Sequence, residues 1–178
     1  SAAVILSDAQ DIDRIASIQA NAIFWNMGEN CTANSRIIVH TDHYDALTQA
    51  MKEQVSEWQL GNQLDPKTRN GPLISAEHFQ KVTDLVESGK SQGGRVVCGG
   101  EGEDGLIYKP TIFADVTADM EIFQEEIFGP VVGITKANGD DEAIALANQS
   151  KYGLAATLYT SNISKAHLRH KSCRAGPT

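Results

Sequence analysis

The fold is decided around one segment of the chain, Phe24-Trp25-Asn26-Met27-Gly28-Glu29-Asn30-Cys31-Thr32-Ala33-Asn34-Ser35-Arg36, which leads directly into the apolar run Arg36–His40. The residues just before it, 12–23, carry isoleucine and alanine at helical spacing, and Arg36–His40 has the composition of a buried strand. Gly28 is expected to end or bend the helix. The segment is therefore predicted to connect a helix to a strand and to hold Cys31 in the loop between them.

The rest of the chain repeats this alternation. Apolar runs typical of buried strands occur at residues 2–6, 36–40, 95–98, 131–135 and 154–160. Amphipathic stripes typical of helices occur at residues 12–23, 43–58, 75–88, 140–148 and 163–173. Residues 108–116, which contain Pro110, are predicted to form an edge segment because proline is poorly tolerated in a central strand. Residues 119–128 fit neither pattern. The order predicts an α/β fold, a largely parallel open sheet with helices on both faces.

Composition narrows the functional classes. The chain has 178 residues, is 41% hydrophobic and has a formal net charge of -8. The negative charge argues against a nucleic-acid partner, and no apolar run is long enough to span a bilayer. The three cysteines, Cys31, Cys98 and Cys173, are an odd number without a Cys-x-x-Cys spacing, which favours a reducing, cytoplasmic environment. His167 and His170 could share a helix face, but no third ligand accompanies them, so no metal site is predicted.

Cys31 is the candidate nucleophile. A thiolate can attack an aldehyde carbonyl to give a thiohemiacetal, which becomes a thioester when hydride is removed. The thiol must be exposed, here at a cleft expected at the carboxyl end of the sheet, and the oxyanion needs a nearby N–H donor. Asn30 and Thr32 are small enough to leave such an N–H open. The alternative is a buried, inert cysteine, which is the prediction for Cys98, whereas Cys173 is predicted to be a partly exposed bystander.

Two motifs together resemble the aldehyde dehydrogenase superfamily. The spacing Phe-x-x-x-Gly-Glu-x-Cys at residues 24–31, with Arg36 five residues after the cysteine, is similar to its catalytic-cysteine segment. Residues 125–130, Glu-Glu-Ile-Phe-Gly-Pro, match a second hallmark in all six positions. By composition alone, this second stretch would be a solvated helix end followed by a turn. The two motifs stand in the family's order and are more specific together than either is alone.

The resemblance implies roles for individual residues. The cofactor would be NAD or NADP, with Glu126 at the nicotinamide ribose hydroxyls and Phe128 packing beside the nicotinamide. A carboxylate suits a ribose diol because it can accept two hydrogen bonds. Trp25 would line the aldehyde channel, unless it packs the core beneath the loop. Asn30 and Thr32 would flank the substrate.

The resemblance also implies an incomplete enzyme. Family members are considerably longer, and the Rossmann-type half, the general-base glutamate and the strands after the last helix have no counterpart in this sequence. Residues 1–178 are expected to be the catalytic domain, inactive alone, of a parent enzyme that forms a homodimer or homotetramer. The substrate would be a small aldehyde. The sequence of residues 28–36 is most similar to that of enzymes for amino-aldehydes such as 4-(γ-glutamylamino)butanal.

Two other functions remain compatible with these residues. An acylating aldehyde dehydrogenase uses the same cysteine but transfers the acyl group to coenzyme A. A structural or binding homologue would keep the fold without catalysis. The presence of Cys31, Glu126 and Phe128 together favours an enzyme over the second alternative.

Overall fold

A computed structural model describes residues 1–173 of the chain. Its elements, in chain order, are β1 (Ala2–Ile5), α1 (Ile12–Phe24), β2 (Arg36–His40), α2 (Thr41–Ser56), β3 (Gln59–Leu60), β4 (Thr68–Asn70), α3 (Ala76–Ser91), β5 (Arg95–Cys98), β6 (Gly102–Glu103), β7 (Ile107–Tyr108), β8 (Thr111–Ala114), α4 (Glu121–Gln124), β9 (Val131–Ala137), α5 (Asp140–Ala147), β10 (Ala156–Tyr159) and α6 (Ile163–His170). Short 3-10 turns at Trp25–Gly28 and Asp104–Leu106 complete the path.

Six of the strands form one open sheet in the order β10-β1-β2-β9-β8-β5. All neighbours in it run parallel except β5, which pairs antiparallel with β8 at one edge. Parallel neighbours need crossover connections, which the helices provide. The predicted α/β fold with a largely parallel open sheet is therefore confirmed.

Helices cover both faces of this sheet. Side chains alternate along a strand, so Ile37 and Val39 of β2 face α1 and α2, whereas Ile38 faces α5 on the other side. A further cluster on that second side joins α3 and α4 to Phe113 and Val131. Burial on both faces explains why β1, residues 37–39 of β2 and residues 131–134 of β9 lack the apolar–polar alternation of a half-exposed strand. None of the described helices is long and apolar enough to cross a membrane.

The edge prediction for residues 108–116 was wrong. Strand β8 lies inside the sheet between β9 and β5, and all four of its residues are buried. Pro110 immediately precedes β8, so its missing N–H removes no bond from the ladder, which starts with the Thr111 N–H donating to the Pro130 carbonyl at 2.8 Å. In the unassigned stretch 119–128, Glu121–Gln124 forms the one-turn helix α4.

The candidate residues lie at the amino edge of the sheet, so the expected carboxyl-edge cleft was wrong. The loop with Cys31 enters β2, residues 125–130 enter β9, and both strands run parallel to β1. Segments that lead into parallel strands meet at the edge where those strands begin. Cys31 is separated from β2 by only four residues, so it has no path to the opposite edge.

Candidate active site

A left-handed turn positions the loop that contains Cys31. Helix α1 ends at Phe24, earlier than the predicted stop at Gly28, and three consecutive residues then have positive φ: Asn26 at 51°, Met27 at 56° and Gly28 at 73°. The Asn26 carbonyl accepts from the Glu29 N–H at 3.0 Å, and Asn26 Nδ2 donates to the Glu29 carbonyl at 3.1 Å. Left-handed backbone is tolerated by Asn but unfavourable for Met, so surrounding contacts must hold Met27 in this turn.

Cys31 itself is exposed at the surface of this loop. Asn30 Oδ1 accepts from both the N–H and the hydroxyl of Thr32, at 3.1 and 3.0 Å, and the Ser1 hydroxyl donates to the Cys31 carbonyl at 3.0 Å. The Thr32 N–H is therefore not open, contrary to expectation, because the Asn30 side chain occupies it in an Asx turn. The Cys31 N–H has no hydrogen-bond partner within residues 1–173. An exposed thiol beside a free N–H can support attack on a carbonyl.

The two sequence motifs meet at Gly28. A Cβ placed on Gly28 would lie 2.1 Å from the Gly129 carbonyl oxygen and 2.9 Å from the Pro130 nitrogen. The cysteine loop therefore rests directly on the backbone of the Gly-Pro turn, about as closely as two main chains can approach. Glycine is required here for this approach and for its φ of 73°. The contact explains why motifs so distant in sequence share one site.

Two residues of α3, which sequence reasoning missed, hold the second motif. His78 Nε2 donates to the Phe128 carbonyl at 2.7 Å and lies 3.6 Å from Glu29 Oε1. Lys81 Nζ donates to the Glu126 carbonyl at 3.0 Å. His78 and Lys81 are one helical turn apart and share a face of α3, so their spacing was a signal that could have been found. Together they join the cysteine loop to the residues 126–128.

Glu126 and Phe128 are half-buried on the approach to β9. Phe128 has a positive φ of 59° and its ring stands edge-on to His78, with ring centroids 6.3 Å apart. Glu126 borders an open cleft with α3, lined by Glu77, Gln80, Lys81, Asp84, Leu85, Glu121, Glu125 and Tyr152. The backbone of residues 126–128 is held by α3, while Glu126 borders a cleft large enough for a ligand.

Trp25 lies on the other side of the cysteine loop. Its side chain is 65% exposed, whereas the neighbouring Phe24 is fully buried and packs against Trp58. The core beneath the loop is therefore filled by Phe24 rather than Trp25. Trp25 shares a second cleft with Asn30 and Thr32, the two neighbours of Cys31. The three residues predicted to contact substrate are thus brought together.

Comparisons with known proteins show which family the chain resembles. The family model described as "Aldehyde dehydrogenase family" matches residues 1–178. The chain belongs to the aldehyde dehydrogenase family. An aminoacetaldehyde dehydrogenase of Pseudomonas aeruginosa is 42% identical over 174 residues, which are 98% of this chain and 35% of that relative.

Solved aldehyde dehydrogenase structures superpose closely on the chain. An indole-3-acetaldehyde dehydrogenase in complex with NAD+ matches with a TM-score of 0.95 and 39% identity over 99% of this chain and 36% of that structure. A gamma-glutamyl-gamma-aminobutyraldehyde dehydrogenase from Burkholderia cenocepacia matches with a TM-score of 0.94 and 39% identity, again over 99% of this chain and 36% of its own. The chain spans about a third of the length of these aldehyde dehydrogenases.

The other two cysteines differ from Cys31 in their surroundings. Cys98, at the end of β5, and Cys173 are both partly buried, and burial raises the pKa of each thiol. Cys98 was predicted to be a core side chain and only partly fits that description, whereas Cys173 is partly exposed as predicted. A raised pKa lowers the thiolate fraction, so both are poorer nucleophiles at neutral pH.

No three His, Cys, Asp or Glu side chains among the described residues are grouped closely enough to hold an ion. The side chain of His170, predicted to share a face with His167, lies outside the described part of the chain, as do residues 174–178.

His78→Ala is expected to lower the free energy of unfolding by about 1–2 kcal/mol, because the half-buried Phe128 carbonyl loses its donor. His78→Gln keeps an N–H donor and should recover part of this loss. Urea unfolding followed by circular dichroism measures both values. His167→Ala, at an exposed position on α6, is the matched control and should change little. A loss for His78→Ala no greater than that of the control would contradict the assigned contact.

Proposed function

We propose that residues 1–178 are the cysteine-bearing catalytic domain of a longer NAD(P)-dependent aldehyde dehydrogenase, which oxidises an aldehyde to a carboxylic acid. One observation supports this most directly: the exposed Cys31 sits on a left-handed turn that rests on the Gly129-Pro130 backbone, beside Glu126 and Phe128. Strained backbone at a surface loop is retained where a reactive group must be held in place. In this proposal the fold positions the nucleophile next to a cofactor site.

Cys31 is the proposed nucleophile. Its thiolate forms a bond from Sγ to the carbonyl carbon of the aldehyde, and the carbonyl electron pair moves onto oxygen to give a thiohemiacetal alkoxide. The unpartnered Cys31 N–H is the proposed donor to that oxygen, since the Thr32 N–H is already bonded to Asn30. Loss of hydride from the same carbon restores the carbonyl as a thioester on Sγ, which water then cleaves to the acid.

The residues around β9 fit part of a nicotinamide dinucleotide. The fit is supported by the half-buried Glu126 carboxylate, by Lys81 on the same cleft, and by Phe128 fixed in a left-handed conformation by His78. Glu126 would accept from ribose hydroxyls and Phe128 would flank the nicotinamide ring. When bound, NAD or NADP supplies the hydride acceptor that the thiohemiacetal needs. The remainder of the dinucleotide would be held by residues outside this chain.

The general base is proposed to lie outside this chain. Glu29 is the carboxylate nearest to Cys31 in sequence, but its Oε1 accepts from the Ile74 N–H at 3.0 Å and lies near His78. A carboxylate held in this way has a structural task and is poorly placed to activate water. The isolated chain should therefore form covalent adducts without turning over. The parent enzyme is proposed to assemble as a homodimer or homotetramer.

The proposed substrate is an aldehyde derived from an amine. Trp25 offers an exposed indole face that can pack on methylene groups or attract an ammonium. Relatives of comparable similarity carry names that refer to aminoacetaldehyde and to gamma-glutamyl-gamma-aminobutyraldehyde. These names describe both a free amine and an acylated one.

Acyl transfer from a p-nitrophenyl ester tests the nucleophile on the isolated chain. An activated ester gives the same thioester on Sγ without cofactor or base, so Cys31 should be acylated at least about 10-fold faster than Cys98 or Cys173, whose pKa values are raised. Nitrophenol release and peptide mass spectrometry measure rate and position. Cys31→Ser should remove the fast phase, and Cys173→Ser should leave it unchanged. Preferential acylation of Cys98 or Cys173 would refute the assignment of Cys31.

A further inference from the structure

The cleft beside Cys31 continues well beyond the two neighbours of the nucleophile. It extends from Asn30 and Thr32 past Trp25 to Trp58 and to β4, and its volume is about 730 Å3. Cavities of a few hundred to a thousand Å3 are typical of sites for small molecules. We call this space the tail cleft. An aldehyde attached to Cys31 would direct the rest of its chain along this space.

Arg69 of β4 presents a cation in the tail cleft. Its guanidinium lies over the Trp58 ring, 4.7 Å from the centroid, and its Nη2 donates to Asn21 Oδ1 at 2.5 Å. No carboxylate lies within ion-pair distance of Arg69 among residues 1–173. The side chain is thus fixed by neutral partners, and its charge is left for a ligand. A guanidinium matches a carboxylate in shape because it can donate two parallel hydrogen bonds.

Asn70, the next residue of β4, is incompletely bonded. It is 1% exposed and lines the tail cleft, yet neither its Nδ2 nor its Oδ1 has a hydrogen-bond partner in the described chain. The buried Thr68 hydroxyl is also unpartnered. Leaving a buried amide unbonded is unfavourable, and such groups are rare in folded proteins. A polar guest at this end of the cleft, or water in its absence, would relieve that cost.

The walls between Cys31 and Arg69 are aromatic. Trp25 is mostly exposed and Trp58 partly so, and the two indoles border the same space. Indole faces pack well on methylene groups. The cleft therefore combines the two sequence neighbours of Cys31 at one end, aromatic walls, and a cationic end with spare amide groups.

From this arrangement we infer that the tail cleft binds aldehydes that carry a carboxylate at the far end, with Arg69 as the anion anchor and Asn70 as an additional polar contact. The inference depends on the proposed function, because it assigns the cleft to the substrate of Cys31. It favours acylated substrates with a carboxylate over free amino-aldehydes, because the Arg69 charge repels an ammonium group. Arg69 is a specificity-determining residue in this arrangement, and it takes no part in bond making.

A pair of alkylating probes of equal length tests the anchor on the chain itself. N-iodoacetyl-4-aminobutanoate carries a terminal carboxylate, and N-iodoacetyl-4-aminobutanamide is its neutral counterpart. The carboxylate probe should alkylate Cys31 about 10-fold faster than the amide at low ionic strength, as a charge-assisted bidentate contact allows. In Arg69→Gln the ratio of the two rates should fall to about 1. Lys67→Gln makes the same charge change two residues away and should keep the ratio.

Asn70→Leu separates a binding role from a structural one. Replacing an unbonded amide by an apolar group of similar size should leave the midpoint of thermal unfolding unchanged or higher. The preference of Cys31 for the carboxylate probe should nevertheless decrease. An unchanged preference would remove Asn70 from the site.

The outcomes distinguish a failure of the tail-cleft inference from a failure of the proposed function. Equal rates for the two probes at Cys31, in the native sequence and in Arg69→Gln alike, would overturn the anchor while leaving the nucleophile intact. Failure of both probes at Cys31 would instead overturn the nucleophile, and the cleft can then be tested by tryptophan emission. Both tryptophans of the chain border the tail cleft, so glutarate should change the emission of the native chain but not that of Arg69→Gln. No response to glutarate would reject the anion site.

Discussion

Gly28→Ala is expected to lower the free energy of unfolding by about 2–5 kcal/mol, the largest loss expected for any of these substitutions. The new Cβ would lie 2.1 Å from the Gly129 carbonyl oxygen and 2.4 Å from its carbon. These are main-chain atoms at the start of β9, so they cannot rotate away as a side chain could. About 1–2 kcal/mol comes from left-handed backbone with a Cβ, and overpacking adds about 1–3 kcal/mol or more. Urea unfolding measures the total.

Gly105→Ala is a matched control for this prediction. Gly105 has nearly the same backbone angle, with a φ of 75° against 73° for Gly28, but no atom lies within 4 Å of its added Cβ. Gly105→Ala should therefore lower the free energy of unfolding only by the cost of a left-handed backbone with a Cβ, about 1–2 kcal/mol. Gly28→Ala should also slow the acylation of Cys31, because the loop must lift away from residues 129–130. Equal losses for the two variants would show that the motifs are not in close contact.

The second large effect is a loss of stability at high pH, and it depends on Tyr44 of α2. Its buried hydroxyl donates to Asp115 Oδ1 at 2.8 Å and accepts from the Asp115 N–H at 2.6 Å. Burial, together with the Asp115 carboxylate, raises the pKa of Tyr44 to about 12, and burial raises that of Tyr108 to about 12 as well. In the unfolded chain both tyrosines ionise near their ordinary pKa of about 10.

A pKa that is raised in the folded state makes the free energy of unfolding fall as the pH increases. The stability that it contributes is complete below pH 10 and is lost as the pH rises from about 10 towards 12, because only the unfolded chain releases the proton readily. Each of these buried tyrosines should account for a loss on the order of 2 kcal/mol across this window. Stability measured by urea unfolding at successive pH values should therefore decline more steeply than lysine titration alone would cause.

Tyr44→Phe separates the two roles of the hydroxyl. At neutral pH it should destabilise the chain by about 1–3 kcal/mol, because the Asp115 N–H and carboxylate lose a partner. Above pH 10 its stability should fall less steeply than that of the native chain, since one of the two buried phenols is gone. Tyr152→Phe, at an exposed position on the surface, provides the control. An unaltered alkaline slope in Tyr44→Phe would show that Tyr44 does not titrate as expected.

The hydrophobic pattern predicted the fold because the fold depends on the composition of many residues. β1, residues 37–39 of β2 and residues 131–134 of β9 are buried on both faces, so each appears in the sequence as a short run without polar side chains. The segment containing residues 111–114 was predicted to lie at the edge of the sheet because a single proline was taken to exclude a central position. Proline forbids such a position only where its N–H would be needed, and Pro110 lies just outside the ladder.

The site was only partly predictable, for a different reason. Cys31, Glu126 and Phe128 stand in local motifs that can be recognised from their neighbours. The spacing of His78 and Lys81 places both on one face of α3, but it does not reveal that this face contacts residues 126–128, which are distant in sequence. The edge of the sheet at which Cys31 lies was predicted wrongly, although the four residues between Cys31 and β2 already determined it.

The pairing of β1 with β10 bears on how the chain folds during translation. Ala2 lies beside Ala156, so β1 is synthesised well before β10, the strand that covers its outer edge. Until then, a nascent chain exposes an apolar strand edge to other chains and to chaperones. Ribosomal pausing after β9 would prolong that exposure, which ends once β10 has left the ribosome and paired with β1.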